Sequence, residues 1–332
     1  MNKYKNIKIG IIGSGYWATN IIKTLEDSKI KNVFVFDSDY KQLLNTKNKF
    51  QFIKIVNSLN DLLKLDLECY FLVTPSSTHY KIAKKIILRS KDLFVEKPVG
   101  LNSKGVKELL RLSNIRRTIF MTGYIYNYNV YLKFIKKYIQ SKKLGKIRYI
   151  YFERSNLGPI RNDASCLWDL AAHDISSSIF LLNENPKVIS SYSYDFLKKD
   201  IFDISSVHLK SKSIDIEIKS SWLNPKKSRK IVILGEKKML SFDELDLKNN
   251  VKIYNQYAKY PKTNKFKKSF FTPKANIFIG KTYSPKIKFK APLKEEIFHF
   301  LECVKNRTKP LTDGKYAFQV SKIIEKIENK II

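Results

Sequence analysis

The chain has 332 residues, 43% of them apolar, and a formal net charge of +33. That length favours two domains over one core, and the want of a run of about 18 apolar residues argues against a membrane-spanning helix. The charge is carried by 54 Lys against nine Arg, spread along the chain apart from a cluster at 259–268, KYPKTNKFKK, read as a solvated loop. A nucleic-acid surface would favour Arg for bidentate contacts, so no specific nucleic-acid partner is expected. The excess charge suits attraction of an anionic small molecule. Cys69, Cys166 and Cys303 stand far apart without a CxxC pair, which argues against zinc or disulfides and for a reducing, cytoplasmic setting. Cys166 reads as a buried filler rather than a nucleophile.

The N-terminal MNKYKNIKIGIIGSG runs into a glycine turn, as a first strand does, rather than into a leader cleavage site. IKIGIIG (7–13) is a strand and turn; Ile21, Ile22 and Leu25 then follow at helical spacing. VFVFD (33–37) is a second strand. CYFLVTP (69–75) is another, and Ala83, Ile86 and Ile87 mark the helix after it. LFVEKP (93–98) precedes a helix with Val106, Leu109, Leu110 and Leu112, and TIFMTG (118–123) closes the sheet. Such alternation implies parallel βαβ units, a doubly wound domain over 1–122.

Beyond 123 the texture changes. A helix near 129–140 leads to a long strand, KIRYIYFERS, and the loop NLGPIRND precedes a helix from about 165 to 182. FDISSVHLK and SIDIEIKSS alternate as half-buried antiparallel strands, with Ile214, Ile216 and Ile218 on one face. IVILG and KMLSFD are further strands, and helices near 292–306 and 314–329 end the chain. Residues 123–332 are thus expected to form an α+β domain on one mostly antiparallel open sheet.

Gly13-Ser14-Gly15-Tyr16-Trp17-Ala18 matches GxGxx(G/A) between a strand and a helix. Gly13 permits the tight turn, Gly15 lets backbone approach a pyrophosphate, Ala18 permits close packing, and the helix N-terminus favours the anion. Tyr16 and Trp17 belong to the same cofactor-binding turn. Asp37 ends the second strand about twenty residues on, where a carboxylate accepts ribose hydroxyls and repels a 2′-phosphate. NAD is therefore expected over NADP, with Lys41 nearby as the opposing charge. An ordinary helix-capping Asp is the alternative for Asp37.

Residues 168–174 read Trp-Asp-Leu-Ala-Ala-His-Asp. Asp169 and His173 share one helical face, and an imidazole beside a carboxylate is a natural general base. Asp174 points elsewhere and suits a cap or a structural pair. His79, His208 and His299 have no such acidic neighbour in sequence; His208 and His299 read as packing residues. No third ligand stands at metal spacing, so no metal is expected.

With these motifs in order, the sequence resembles the Gfo/Idh/MocA family of nicotinamide-dependent oxidoreductases. The resemblance covers nearly the whole chain: the GSGYWA turn, Thr74-Pro75-Ser76-Ser77-Thr78-His79, Glu96-Lys97-Pro98, Trp168-Asp169…His173-Asp174, SWLNPKKSRKIVILGEKKMLSFD and PLKEEIFHFLECV. It implies that Lys97 sits between nicotinamide and the reacting sugar carbon, that His173 takes the proton, and that Asp169 binds a sugar hydroxyl or orients His173. It implies that Thr74, Pro75 and His79 line the cofactor cleft, with Glu96 supporting Lys97 at its edge. Tyr124 stands where relatives often carry His. Asn156, Arg161 and Asp163 are candidate substrate contacts, a surface salt bridge being an equal reading of Arg161. The implied activity is hydride transfer between NAD(P) and a secondary hydroxyl or ketone of a sugar-like substrate, a nucleotide sugar of surface polysaccharide synthesis among the options. An inositol or polyol dehydrogenase, or a catalytically silent NAD-binding regulator, are the alternatives. The family also implies an active site between the domains and a homodimer or homotetramer built through the second sheet's open face.

Overall fold

The computed structural model describes residues 3–260 and 275–330. Residues 261–268 of the lysine-rich stretch lie outside the described residues. The chain divides into two compact units. The first runs past the expected 122/123 boundary to Asn129, and takes in Arg161–Ser176 and Lys290–Asn329 as well. The second comprises Val130–Ile160, Ser177–Phe289 and Lys330–Ile332.

The first unit opens with β1 (Ile9–Ile12), α1 (Tyr16–Asp27), β2 (Val33–Phe36), α2 (Tyr40–Lys49), β3 (Lys54–Ile55) and α3 (Leu59–Lys64). It continues with β4 (Cys69–Leu72), α4 (Ser76–Leu88), β5 (Asp92–Glu96), α5 (Ser103–Arg116) and β6 (Phe120–Gly123). Apolar residues fill β1 and β4 because both faces of a parallel sheet are covered; all eight of their residues are buried. α1 follows from its spacing, with Ala18, Ile21, Ile22 and Leu25 buried on one side. Asp39 and Asn102 start α2 and α5 by accepting the backbone N–H of Gln42 and Gly105. Among the described residues six strands pair in parallel in the order β3-β2-β1-β4-β5-β6. The order reverses between β1 and β4, which brings the loops after β1, β4 and β5 to one sheet edge, where open α/β sheets bind ligands. α2, β3 and α3 are absent from the sequence reading: β3 and α3 are short, and α2 buries only Leu43 and Thr46.

α8 (Pro292–Asn306) and α9 (Gly314–Glu328) match the two expected C-terminal helices and lie in this unit. Phe300 of α8 meets Phe71 and Phe94 with ring centroids 5.2 and 5.8 Å apart, and those two rings lie 5.1 Å from each other. Each such buried ring contributes roughly 1.5–3 kcal/mol. α9 packs on α5.

The second unit holds α6 (Val130–Gln140) and a sheet of β7 (Ile147–Leu157), β8 (Lys187–Tyr194), β9 (Ile204–Ser211), β10 (Ile214–Ser221), β11 (Leu223–Gly235), β12 (Met239–Asp243), β13 (Val251–Lys259) and β14 (Asn276–Tyr283). Among the described residues its order is β14-β13-β12-β11-β7-β10-β9-β8, antiparallel throughout except for β7 with β10. Ile216 and Ile218 are fully buried on the expected face, with Phe152 and Ile231 beside them. One reading is corrected here. His208 is a half-exposed partner of Asp215 (3.3 Å) rather than a packing residue, because the β9–β10 hairpin brings the acid diagonally across from it, two residues from the directly paired Glu217.

Candidate active site

α7 (Ala172–Leu182) does not begin as an α-helix: Leu167–Ala171 form a π-helical turn before it, a form enriched at functional sites. Of residues 164–172, Asp169 alone is not buried. Trp168 anchors the turn by donating its indole N–H to Glu328 of α9 (2.8 Å). One turn past His173, the Ser176 carbonyl accepts from Tyr316 Oη (2.6 Å), whose oxygen accepts from Asn127 Nδ2 (3.0 Å). The His173 ring lies against Tyr126, centroids 5.1 Å apart. These supports come from segments far off in sequence, Glu328 and Tyr316 more than a hundred residues away, and carry no local signature.

β5 delivers Lys97 to the same place. Its ammonium donates to Asp169 twice, to Oδ1 at 2.8 Å and to the backbone carbonyl at 3.0 Å. Both side chains are mostly shielded, at 13% and 16% exposure, so the pair is worth more than a surface ion pair. Arg161 adds a second cation 3.7 Å from Asp169 Oδ1. The same guanidinium grips Asp163 with two bonds (2.9 and 3.0 Å), and Ser76, at the start of α4, donates to Asp163 Oδ2 at 2.5 Å. Lys97, Asp169, Arg161, Asp163 and Ser76 thus form one charged cluster in the first unit. Arg161 is part of a half-buried network there, bridging Asp163 and Asp169.

The Arg161 bonds, with help from Ser76, hold the Asp163 carboxyl down at about 2 against an ordinary 3.8. A lowered acid stabilises the fold above its unfolded value and stops doing so as pH falls toward the folded one. Asp163→Asn is therefore expected to lower the thermal midpoint at pH 5, and the difference from wild type to vanish on acidification from about pH 4 to pH 2. A difference unchanged across that range would refute the pairing.

The glycine turn follows β1. Gly13 has φ +101°, and a Cβ there would stand 2.7 Å from the Val73 carbonyl oxygen. Above Gly15 nothing lies within 4 Å of a Cβ position, and no side chain caps α1. Ala18 is buried beneath, Tyr16 is 83% exposed, and the half-buried Trp17 packs on the core. Open space over uncapped helix N–H groups fits a dinucleotide pyrophosphate. Asp37 ties the turn down, accepting from Ser14 N (2.6 Å), Ser14 Oγ (2.8 Å) and Asp39 N (2.9 Å).

Thr74 and Pro75 border the turn after β4, the Thr74 hydroxyl bonding Thr78 Oγ1 at 2.7 Å. His79 is buried between two carbonyl oxygens, Nδ1 at 2.7 Å from Pro98 and Nε2 at 2.7 Å from Thr74, so it staples that loop to the Lys97 loop. Pro98 follows a cis bond. Glu96 accepts from the Trp17 indole N–H and from Lys97 N. Tyr124 is 3% exposed against Tyr316 (5.7 Å), and burial raises its phenol far above the usual range. Asn156 lies in the second unit, bonded to Arg229 and to the Gly158 carbonyl. No group of three or more His, Cys, Asp or Glu is arranged to hold a metal, and no helix is long and apolar enough to cross a membrane, among the described residues.

A parallel sheet with a glycine turn at its switch point, joined to a mostly antiparallel open sheet, defines a two-domain dinucleotide-binding protein. Residues 7–124 match the family model described as an oxidoreductase family with an NAD-binding Rossmann fold, and residues 132–241 match the GFO/IDH/MocA C-terminal domain. The chain belongs to the Gfo/Idh/MocA oxidoreductase family.

Among its curated relatives, inositol 2-dehydrogenase of Rhizobium meliloti is 22% identical over 143 residues, 42% of this chain and 43% of that protein. UDP-N-acetylglucosamine 3-dehydrogenase of Acidithiobacillus ferrooxidans is 24% identical over 127 residues, 38% and 39% of the two chains. The chain spans roughly 40% of the length of the first curated relatives it matches. The solved structure of the Acidithiobacillus enzyme superposes with TM-score 0.79 at 18% identity, covering 98% and 97% of the two chains. The WlbA dehydrogenase of Bordetella pertussis, in complex with NADH and UDP-GlcNAcA, superposes with TM-score 0.77 at 17% identity, covering 98% and 96%. At these identities the likeness establishes the fold.

Proposed function

We propose that the protein is an NAD-dependent dehydrogenase acting on a secondary hydroxyl of a sugar-like substrate, a nucleotide sugar in the first instance. The observation that carries this reading is the Lys97–Asp169 pair, formed at the end of β5 on the sheet edge that also bears the glycine turn, with His173 following Asp169 by four residues. Nicotinamide, when bound, supplies the hydride acceptor or donor. Gly13, Gly15, Tyr16, Trp17 and Ala18 hold the dinucleotide, bordered by Thr74, Pro75, His79 and Glu96. Asp37, a carboxylate at the end of β2, favours NAD over NADP because a 2′-phosphate there would meet like charge.

An ammonium has three donors, and Asp169 takes two bonds from Lys97. The third is available to a substrate hydroxyl, where it stabilises developing alkoxide charge. His173 removes the hydroxyl proton as general base. Asp169, held between Lys97 and Arg161, fixes the lysine and keeps its charge compensated. Tyr124, Asn156 and Arg161 are the candidate substrate contacts. Arg161 is engaged by Asp163 and Asp169, so the preference for a nucleotide sugar over a free polyol is supported by the likeness to the UDP-N-acetylglucosamine 3-dehydrogenase and WlbA structures. Incubation with UDP-, dTDP- and GDP-sugars, myo-inositol, and NAD+ or NADP+ tests this. NADH formation with a nucleotide sugar is expected; turnover of inositol alone would replace the substrate class, and no turnover with any would remove the enzyme reading.

A further inference from the structure

Glu296, in α8, is an acid in electrostatic reach of Glu96 that the roles above leave unused. It is 0% exposed, and neither carboxyl oxygen has a hydrogen-bond partner among the described residues. Its place follows from the fold. Glu296 precedes Phe300 by one helical turn, and Glu96 follows Phe94 by two strand residues, so both acids extend the faces on which those rings meet. The two carboxyls lie within electrostatic reach of each other.

Glu96 has little freedom. Its carboxyl lies over Gly123 of β6, where a Cβ would stand 2.8–2.9 Å from it, and it accepts from the Trp17 indole and from Lys97 N. The titratable or charged groups facing the pair are Lys97 beside Glu96 and Tyr128, from the turn before α6, beside Glu296. Two carboxyls in electrostatic reach and this dry do not both ionise near neutrality. Glu96, with two N–H donors and a neighbouring ammonium, is the one that keeps the charge. Burial raises both acids above the ordinary carboxylate range, which agrees with a shared excess proton.

We propose that Glu296 is a positioning residue: it stays protonated at neutral pH and, as the neutral, space-filling half of an acid pair, keeps Glu96 ionised, shielded from water and bound to Trp17. Through that bond the Gly13–Ala18 turn and the Lys97 strand end hold one geometry. The inference rests on the roles proposed for the turn and Lys97, but its test needs no turnover.

The test uses protein labelled with 13C at the glutamate carboxyl and 15N at the three Trp indoles, the Trp17 resonance being assigned from Trp17→Phe. One glutamate carboxyl is expected at the protonated position at pH 7 and missing from Glu296→Gln. The isosteric, neutral Gln variant is expected to leave the Trp17 indole resonance in place and NADH affinity within about threefold of wild type. Glu296→Ala, neutral but leaving a cavity that admits water beside Glu96, is expected to move that resonance, as Glu96→Gln does, and to weaken NADH binding about tenfold. Absence of a protonated glutamate from the wild-type spectrum would overturn the proposal even if no variant folded. So would an indole resonance indifferent to Glu296→Ala, or one moved as far by Gln as by Ala. If these results hold while no sugar is oxidised, the assigned activity fails and the acid pair stands.

Discussion

Replacing Lys97 with alanine is expected to lower turnover about 10²–10⁴-fold while leaving NADH affinity within about threefold of wild type. The lysine is held by Asp169, not by the glycine turn, so its loss removes the charge that meets the developing alkoxide and spares the dinucleotide site. Asp169 keeps Arg161 at 3.7 Å, which limits the cost of leaving that carboxylate without its ammonium. Parallel loss of turnover and of NADH binding would mean that Lys97 serves the cofactor site and not the chemistry. Unchanged turnover would remove it from the mechanism.

The two glycines of the turn are expected to fail in different ways. Gly13→Ala brings a Cβ to 2.7 Å from the Val73 carbonyl oxygen at φ +101°. The backbone cost is about 1–2 kcal/mol and overpacking adds about 1–3, so a clear loss of thermal stability follows together with weak dinucleotide binding. Gly15 has φ −68°, which any residue adopts, and open space where its Cβ would go. Gly15→Ala is therefore expected to melt like wild type yet bind NADH about tenfold more weakly, because the methyl occupies the space proposed for the pyrophosphate. Calorimetry and NADH titration of both variants check this. Wild-type affinity in Gly15→Ala would place the dinucleotide elsewhere.

Local sequence carried the strands and helices of the first unit well, since βαβ units announce themselves by apolar runs separated by amphipathic helices. Both C-terminal helices were equally legible, at 292–306 and 314–329, but their destination was not. What places α8 on the first unit is burial of Phe300 against Phe71 and Phe94, over two hundred residues away, while α9 packs on α5. The same limit applies to the site. The GxGxxA turn could be picked out by residue type and spacing, and the Asp169/His173 pair by its helical spacing, but Lys97 stood out only through the family resemblance. That Lys97 bonds Asp169, 72 positions later, could not be picked out. Nor could the grip of Arg161 and Ser76 on Asp163, or the facing of Glu296 toward Glu96. A π-helical turn has no periodicity of its own over five residues, so the segment read as a plain helix from 165. His208 was misread because its acidic partner, Asp215, is across a hairpin and not on its own strand.

The central claim is that Lys97, Asp169 and His173 serve hydride transfer from a sugar carbinol. It is tested most directly with a nucleotide sugar from the panel, deuterated in turn at each oxidisable ring carbon, by following the label into NADH by mass spectrometry. One position is expected to deliver its deuterium to the dinucleotide, with the transfer lost in Lys97→Ala. Turnover in which no labelled position ever marks NADH would contradict the account.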